Sequence, residues 1–430
     1  MLLRIIIIII LLLQDIKDII EIYFINKQRK KPLPPEVSDI YDHDRYEKFL
    51  SYKHDTQRVS LVSRFIHFIP QAFFILSPYY QWIETFANGH ILLIAFYTFI
   101  IEGVITSMID FVINYYGQFH VDDKYGLNKQ TFHDYVKDFF KDIIISTIMF
   151  IVLFGFIIFV AENIYQWLIN FPHHILLAIL IDLGILLVVI FISLASLLFL
   201  KLQYKFTDMP ECQLKLDIEN ILKGCKKKVH RIMIYDESKK SISKNAFLLS
   251  LGFYREICIA DNFVNENDHN ELLAVLSHEV GHLRHQKDIF NYMTYCFSFL
   301  MIIIIDALII HPQIVSTINQ YICDSFQLQQ TNYPLVISIF SLIMTQLMFF
   351  TNIYSNYRTR REEYEADLYA VQMGYGEELI HTFKSLSHDE LVDVNPSNYI
   401  EFMYHNHPSM YHRIKAIREA TKKRQVNLDR

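Results

Sequence analysis

The stretch "LSHEVGHLRHQKD" (276–288) decides how this chain is read. Within it, His278-Glu279-Val280-Gly281-His282 has the form His-Glu-x-x-His. On a helix, positions four apart share a face, so both imidazoles reach one metal ion. Glu279 is then rotated toward water at that ion rather than toward the ion itself. The preceding "DHNELLAVLS" (268–277) has helical periodicity, with Leu272, Leu273, Val275 and Leu276 on one apolar face. A helix of this kind serves chemistry in water. Yet it sits between "LLAILIDLGILLVVIFISLASLLFL" (176–200) and "FLMIIIIDALII" (299–310), which suit a bilayer.

Working outward, composition points the same way. Of the 430 residues, 52% are hydrophobic, and only 11 Gly and 11 Pro interrupt them. The mean hydropathy is +0.20. A polytopic membrane protein is the leading class. Net charge is −6 with no strongly basic domain, which argues against nucleic acid as a partner. Cys212, Cys225, Cys258, Cys296 and Cys323 form no Cys-x-x-Cys pair, so neither a disulfide framework nor a thiolate zinc site is implied.

Lys and Arg are absent from residues 65–123, 142–200 and 288–357, tracts of 59, 59 and 70 residues. A spanning helix needs about 20 apolar residues, so each tract holds two spans and a turn. The expected spans are about 61–82 and 91–113, 143–161 and 175–200, and 289–310 and 335–354. Their connecting loops, "IETFANG" (83–89), "ENIYQWLINFPHH" (162–174) and "QIVSTINQYICDSFQLQQTN" (313–332), carry no cation. By the positive-inside rule the basic segments are cytosolic and these loops face the opposite side. At the amino terminus, "IIIIIILLL" (5–13) is broken by Gln14, Asp15, Lys17 and Asp18. With no small-residue cleavage site after it, a first span over about 2–25 is expected rather than a signal peptide. "KQRKKP" (27–32) then halts transfer on the cytosolic side. The count is seven spans, with the amino terminus outside the cytosol. Glu102, Asp110, Asp182 and Asp306 fall in or near the spans and are expected to face a bundle interior or an aqueous cavity.

A second signal is "RREEYEADLYAVQMG" (360–374). Catalytic zinc takes three protein ligands and keeps a fourth position for water. Glu363 and Asp367 lie four apart on one helical face. Glu363 fits as the third ligand, with Asp367 accepting the outer N–H of a ligand histidine. Glu362 and Glu365 are rivals that lack the Glu-x-x-x-Asp spacing. Two spans separate His282 from Glu363, so the chain returns to the same side of the membrane, and the three ligands share a compartment. An odd number would have separated them.

On these residues the chain resembles the type I CAAX prenyl proteases, integral-membrane zinc metallopeptidases. "HEVGH" and "EYEAD" carry the likeness, two spans apart. So do "KYGLNKQTFHDYVKD" (124–138), "KFTDMPECQLKLDIE" (205–219), "SKKSISKNAFLLSLGFYREICIADNFV" (238–264) and "YHNHPSMYHRIKAI" (404–417), in order over nearly the whole chain. The resemblance implies an all-α polytopic fold. Seven transmembrane helices form a barrel around a water-filled chamber, and a gluzincin-like zinc domain of helices and a small β-sheet sits at the cytosolic end. Membrane parts would occupy 1–200 and 289–354, and the catalytic domain 201–288 and 355–430. It further implies one zinc ion per chain, held by His278, His282 and Glu363, with Glu279 as general base. Asn245, His407 and Arg413 would contact the substrate or the transition state. The implied activity removes the last three residues of prenylated CaaX proteins in the endoplasmic reticulum membrane or the contiguous nuclear envelope. Lys244 departs from the family, which often has a small residue or His before that Asn; Val280 replaces the usual Leu.

Elementary chemistry supports parts of this independently. "REICIADNFV" (255–264) has strand character, and an edge strand there would hold an extended peptide beside the metal. Asn245 would anchor the peptide backbone, or simply form a turn. His407 would donate to an oxyanion, or simply precede Pro408 in a turn. Arg413 would bind a carboxylate or pair with an acid of the site. His269, His285 and His405 read as solvated surface histidines. Two rivals stay open: a membrane quality-control protease of the same zinc superfamily, and a transporter or channel with a structural metal. No inverted repeat supports the latter.

Overall fold

The structure is a computed structural model. It describes residues 1–159, 199–223, 225, 227–251, 254–284 and 312–428, with a few isolated positions between 179 and 194. The expected span 289–310, most of 175–200, the loop 162–174, Asp182, Asp306, Cys296 and His285 lie outside the described residues.

The Ile run does not stop at the first polar residue. It continues as one helix, α1 (Leu2–Arg29), with Lys27 and Arg29 in the last turn, where cations suit the carbonyl end. Next, α2 (His43–Leu76) is capped by Asp42, whose carboxylate accepts from Arg45 N–H at 2.7 Å. It begins well before the apolar tract expected from 61. A short amphipathic helix, α3 (Tyr79–Phe86), straddles the expected end of the first span at 82 and the loop after it. α4 (Ile91–Tyr116) runs on through a π-turn to Asp122, and α5 (Phe132–Phe159) follows. Ile6, Phe65, Leu92, Met108 and Ile148 are exposed on these helices, as lipid-facing positions would be. Among the described residues, two helices are long and apolar enough to cross a membrane, His43–Leu76 and Ile91–Tyr125, or three if a bent pair described below counts as one span.

The second region opens with β1 (Phe206–Asp208), α6 (Gln213–Leu222), β2 (Arg231–Tyr235), β3 (Ala246–Leu251) and β4 (Tyr254–Ala260). α7 (Asp261–Glu266) and α8 (His269–Arg284) follow. The strands form one sheet in the order β1-β2-β4-β3, with β2 and β4 parallel and the other pairs antiparallel. This corrects the strand reading of 255–264. β4 is interior, its residues after Ala260 turn into α7, and the edge is β3. The physical reason is burial on both faces: Ile257, Cys258, Ile259 and Ala260 are all fully buried, which suits a central strand. Glu256 is buried there too. Its carboxylate accepts from Lys201 Nζ at 2.9 Å and Tyr254 OH at 2.7 Å, which ties the end of the second silent tract to the sheet.

The remaining helices are α9 (Pro312–Phe326), α10 (Tyr333–Met373), α11 (Gly376–Asp389), α12 (Asn398–Tyr404) and α13 (Met410–Leu428). Asn332 caps α10 by accepting from Leu335 N–H at 3.0 Å, and Gly374 ends it at φ 103°, a left-handed turn that favours glycine. α10 bends by 57° between Gln346 and Thr351. It therefore runs unbroken in sequence across the expected boundary at 354/355.

Two cation-free segments meet at one end of the molecule. Gln81 Nε2 donates to the Phe326 carbonyl at 3.0 Å, and Glu84 accepts from Gln329 N–H at 3.0 Å. Arg4 donates to the Ser325 carbonyl at 2.8 Å and lies over the Phe326 ring. Ile7, Phe74, Tyr80, Ile94 and Leu335 fill the core between them. From Tyr333, thirty residues of helix at 1.5 Å each follow a bent path of about 45 Å to Glu363. There a separate core of Val37, Phe49, Ala274, Ala370, Leu379 and Ile414 gathers helices from both regions.

Candidate metal centre

α8 and α10 cross at two small residues. A β-carbon added to Gly281 would lie 2.7 Å from Ala366 Cα, closer than atoms tolerate. Glycine is therefore what lets the two backbones touch. The apolar face of α8 points the other way: Leu272, Leu273 and Leu276 are buried against the sheet. With the helix rotation set on both sides, His278 and His282 face Glu363.

His278 Nε2 and His282 Nε2 are 3.2 Å apart. His282 Nε2 lies 3.3 Å from Glu363 Oε1, and His278 Nε2 lies 3.5 Å from Glu363 Oε2. Tetrahedral zinc with bonds of 2.0–2.1 Å sets its ligand atoms about 3.4 Å apart. The three donors thus have the spacing and the chemistry of a zinc site. They form the one such group found among the described residues. The rivals go elsewhere: Glu362 pairs with Arg358 at 3.3 Å, and Glu365 is exposed.

Behind the three donors lies a braced wall. Asp367 Oδ1 accepts from His278 Nδ1 at 2.9 Å, which leaves the Nε2 lone pair aimed at the metal position. Arg413, from α13, grips Asp367 through two bonds, Nη2 to Oδ1 at 2.6 Å and Nε to Oδ2 at 2.9 Å. Its Nη1 lies 3.3 Å from Glu363 Oε2, and its guanidinium rests 4.2 Å above the Phe383 ring. Arg413 is therefore part of the metal wall, paired with acids, and is only 5% exposed. Of the two readings for it, the carboxylates of the site itself take up its charge.

Electrostatics divides the acids. Burial would raise Glu363, but the His282 hydrogen bond and the charges of Arg413, His278 and His407 hold it down at about 2. Burial would likewise raise Asp367, and Arg413 and His278 bring it to about 2. Glu279 escapes this. Burial lifts it to about 7, and the Glu363 charge adds to the lift against the pull of His282, Arg413 and the Leu248 N–H. Burial lowers His278. It would also lower His282, but the Glu363 hydrogen bond and charge raise it. A dication among the three would compete with a proton for the same His282 nitrogen.

The opposite wall is open. A cavity of about 480 Å³ borders the centre, lined among others by Asn245, Phe247, Glu279, Phe383 and His407. His407 Nε2 stands 3.4 Å from Glu363 Oε1 with its side chain 56% exposed. Asn245 is exposed at the start of β3, its carbonyl accepting from Ala260 N–H at 2.9 Å. Alternation along the edge turns the main-chain groups of Ala246 and Leu248 outward, and Leu248 N–H donates to Glu279. Lys244 also lines the cavity, with its Nζ 3.2 Å from Glu266 and 4.0 Å from Asp389.

Some participants had no signal in the sequence. Glu390 accepts from Ser243 Oγ at 2.8 Å and Lys244 N–H at 3.3 Å, bracing the turn before β3. Gly281 and Ala366 were legible as small residues but not as a contact. His269 and His405, expected to be solvated, are half-buried; His269 Nε2 lies 2.8 Å from Asp217 Oδ2. Neither joins the trio.

Comparison with known proteins follows the same division of the chain. Residues 23–201 match the family model for the CAAX prenyl protease N-terminal region, described as five membrane helices. Residues 213–421 match peptidase family M48. The chain is 25% identical over 422 residues to the probable CAAX prenyl protease 1 of Schizosaccharomyces pombe, covering 92% of this chain and 84% of that protein. It is 23% identical over 421 residues to CAAX prenyl protease 1 of Saccharomyces cerevisiae, covering 93% and 91%. The human CAAX prenyl protease 1 homolog is 22% identical over 441 residues, covering 90% and 88%. The fold is similar to the crystal structure of S. mikatae Ste24p, with a TM-score of 0.76, 24% identity, and 96% and 98% of the two chains covered.

Proposed function

Because the chain belongs to the M48 peptidases, in the group that carries the CAAX prenyl protease membrane region, we propose that it cuts the C-terminal tripeptide from prenylated CaaX proteins at a zinc centre of His278, His282 and Glu363. One observation carries this reading. Three donor atoms spaced for tetrahedral zinc stand beside a carboxyl poised near neutrality, on the edge of a cavity that a strand edge borders. A structural metal would be closed off on all sides; here the fourth side faces the cavity.

Zinc, when bound, lowers the pKa of a water and polarises the scissile carbonyl. The protein's own groups do the rest. Glu279 takes the proton from the attacking water as its oxygen bonds to the carbonyl carbon, then passes that proton to the leaving amine. Burial raises this carboxyl above the ordinary carboxylate range, which helps it hold the proton between the two transfers. His407 donates to the developing oxyanion. The outward main-chain groups of Ala246 and the Leu248 carbonyl hold the peptide extended, and Asn245 anchors its backbone. Asp367 and Arg413 keep the His278 imidazole in one tautomer and orientation.

The same reading completes the fold as seven membrane helices around a water-filled chamber. The distribution of Lys and Arg and the five membrane helices of the N-terminal family model support it. The centre then faces the cytosol from the endoplasmic reticulum membrane, with the amino terminus lumenal. A lipid-anchored substrate gives a reason for this architecture: its prenyl tail stays in an apolar phase while its peptide reaches a hydrated metal. The test is to incubate purified protein with a farnesylated CaaX peptide, with and without a chelator. The expected product is the free tripeptide, lost on chelation and restored by zinc. Release that persists after the metal is stripped overturns the reading.

A further inference from the structure

His407 is more than half exposed. Among the contacts of the described residues, its ring meets only polar atoms at its two nitrogens, Asn406 Oδ1 at 2.8 Å from Nδ1 and Glu363 Oε1 at 3.4 Å from Nε2. An exposed side chain keeps a fixed place only if its backbone is held. The chain around it is held at two points. On the far side, buried Ser409 and Glu401 fix His412: Ser409 Oγ lies 3.0 Å and Glu401 Oε2 2.9 Å from His412 Nδ1. On the near side the holder is Arg360. This arginine is 8% exposed, and its Nη1 donates both hydrogens to main-chain carbonyls, those of Glu401 at 2.9 Å and of His405. These are the carbonyls that end α12, where a cation also meets the negative end of the helix.

Arg360 lies on α10 one turn before Glu363, and positions i, i+3 and i+7 put Arg360, Glu363 and Asp367 on one face. One helix therefore presents a metal ligand, the partner of a second ligand, and a grip on the backbone two residues before His407. We propose that Arg360 is a positioning residue that sets His407 over the metal centre, coupling the placement of the oxyanion donor to that of Glu363. The inference rests on the role given above to His407. A lysine would keep a cation with hydrogens enough for both carbonyls, but not the planar guanidinium that fixes their direction. A methionine fills similar space and leaves the His405 carbonyl without its donor.

The test is a double-mutant cycle on the full-length enzyme with the farnesylated peptide, reading kcat, KM, zinc content and thermal unfolding. Arg360→Met should lower kcat roughly 10- to 100-fold, the cost of misplacing a reacting group by about 1 Å, with KM and zinc content nearly unchanged. Arg360→Lys should recover part of that loss. In a His407→Ala background, either substitution should lower kcat less than twofold further. If Arg360→Met does not fold, the lysine variant in both backgrounds closes the same cycle. Equal fold-losses with and without His407, or loss of zinc from Arg360→Lys, overturn the clamp and leave the function intact. If His407→Ala alone costs nothing, the oxyanion role falls and the clamp falls with it.

Discussion

The two walls of the cavity are built on opposite principles. On the metal wall His278, Glu363, Asp367 and Arg413 are each 8% exposed or less, and every charge faces an opposite one within 3.5 Å. On the substrate wall Asn245 and His407 are open to solvent, and β3 is the edge of the sheet, with Leu248 N–H turned to Glu279. A metal holder must be complete before substrate arrives, since its ligands must not wander. A peptide cradle must be incomplete, because the peptide supplies the missing partners. Substitutions on the first wall should therefore cost stability and metal, and those on the second should cost rate or substrate affinity alone.

Glu279 stands between the walls and should show the largest effect of any single change. Glu279→Gln keeps its volume and its contact with Leu248 but removes the proton acceptor. We expect kcat to fall roughly 10³- to 10⁴-fold with zinc retained, measured by peptide release and metal analysis of the same sample. Full turnover with metal bound would remove Glu279 from the chemistry. Arg413→Met probes the braced wall. It leaves Asp367 and Glu363 buried without their shared cation, a loss of about 3–5 kcal/mol by thermal unfolding. Zinc affinity should fall about 10- to 100-fold as His278 loses its fixed orientation. Unchanged stability would mean the two walls do not differ as described.

Gly281→Ala tests the crossing itself. The added methyl meets Ala366 backbone at 2.7 Å, so α8 and α10 must part. Overpacking of this kind costs about 1–3 kcal/mol. The ligands ride on those two helices, so zinc should weaken while KM for peptide bound to the remaining metal-loaded enzyme stays the same. A competition titration against a chelator dye measures it.

How much of this was legible depends on whether the signal was local. The His-Glu-x-x-His helix and the Glu-x-x-x-Asp helix each carry their meaning in a few residues. The one cation-free tract between them, read as two spans, implies that both lie on one side of the membrane, and the donors do meet. The helical character of 2–29 was legible through its polar interruptions, although α2 and α3 extend beyond the apolar runs because polar turns also propagate a helix. The strand order was not legible. Ile257, Cys258 and Ile259 look like any apolar strand, and only pairing on both sides by β2 and β3 makes β4 interior. The grip of Arg360 on carbonyls leaves no trace either, because main-chain acceptors have no residue type.

Asn245→Ala is the smallest and most selective of these changes. The side chain is exposed and borders the cavity, while its main chain is locked to β4 through Ala260. Removing the amide should therefore leave the strand, the zinc content and the unfolding temperature as they were. What is lost is one or two hydrogen bonds to the substrate backbone, about 0.5–1.5 kcal/mol in a site that water can still enter. That corresponds to a KM rise of up to about tenfold with kcat held within twofold. If kcat falls instead, Asn245 binds something that forms only in the transition state. The residue would then move from the peptide cradle to the side of His407, and the open wall would contain two oxyanion donors.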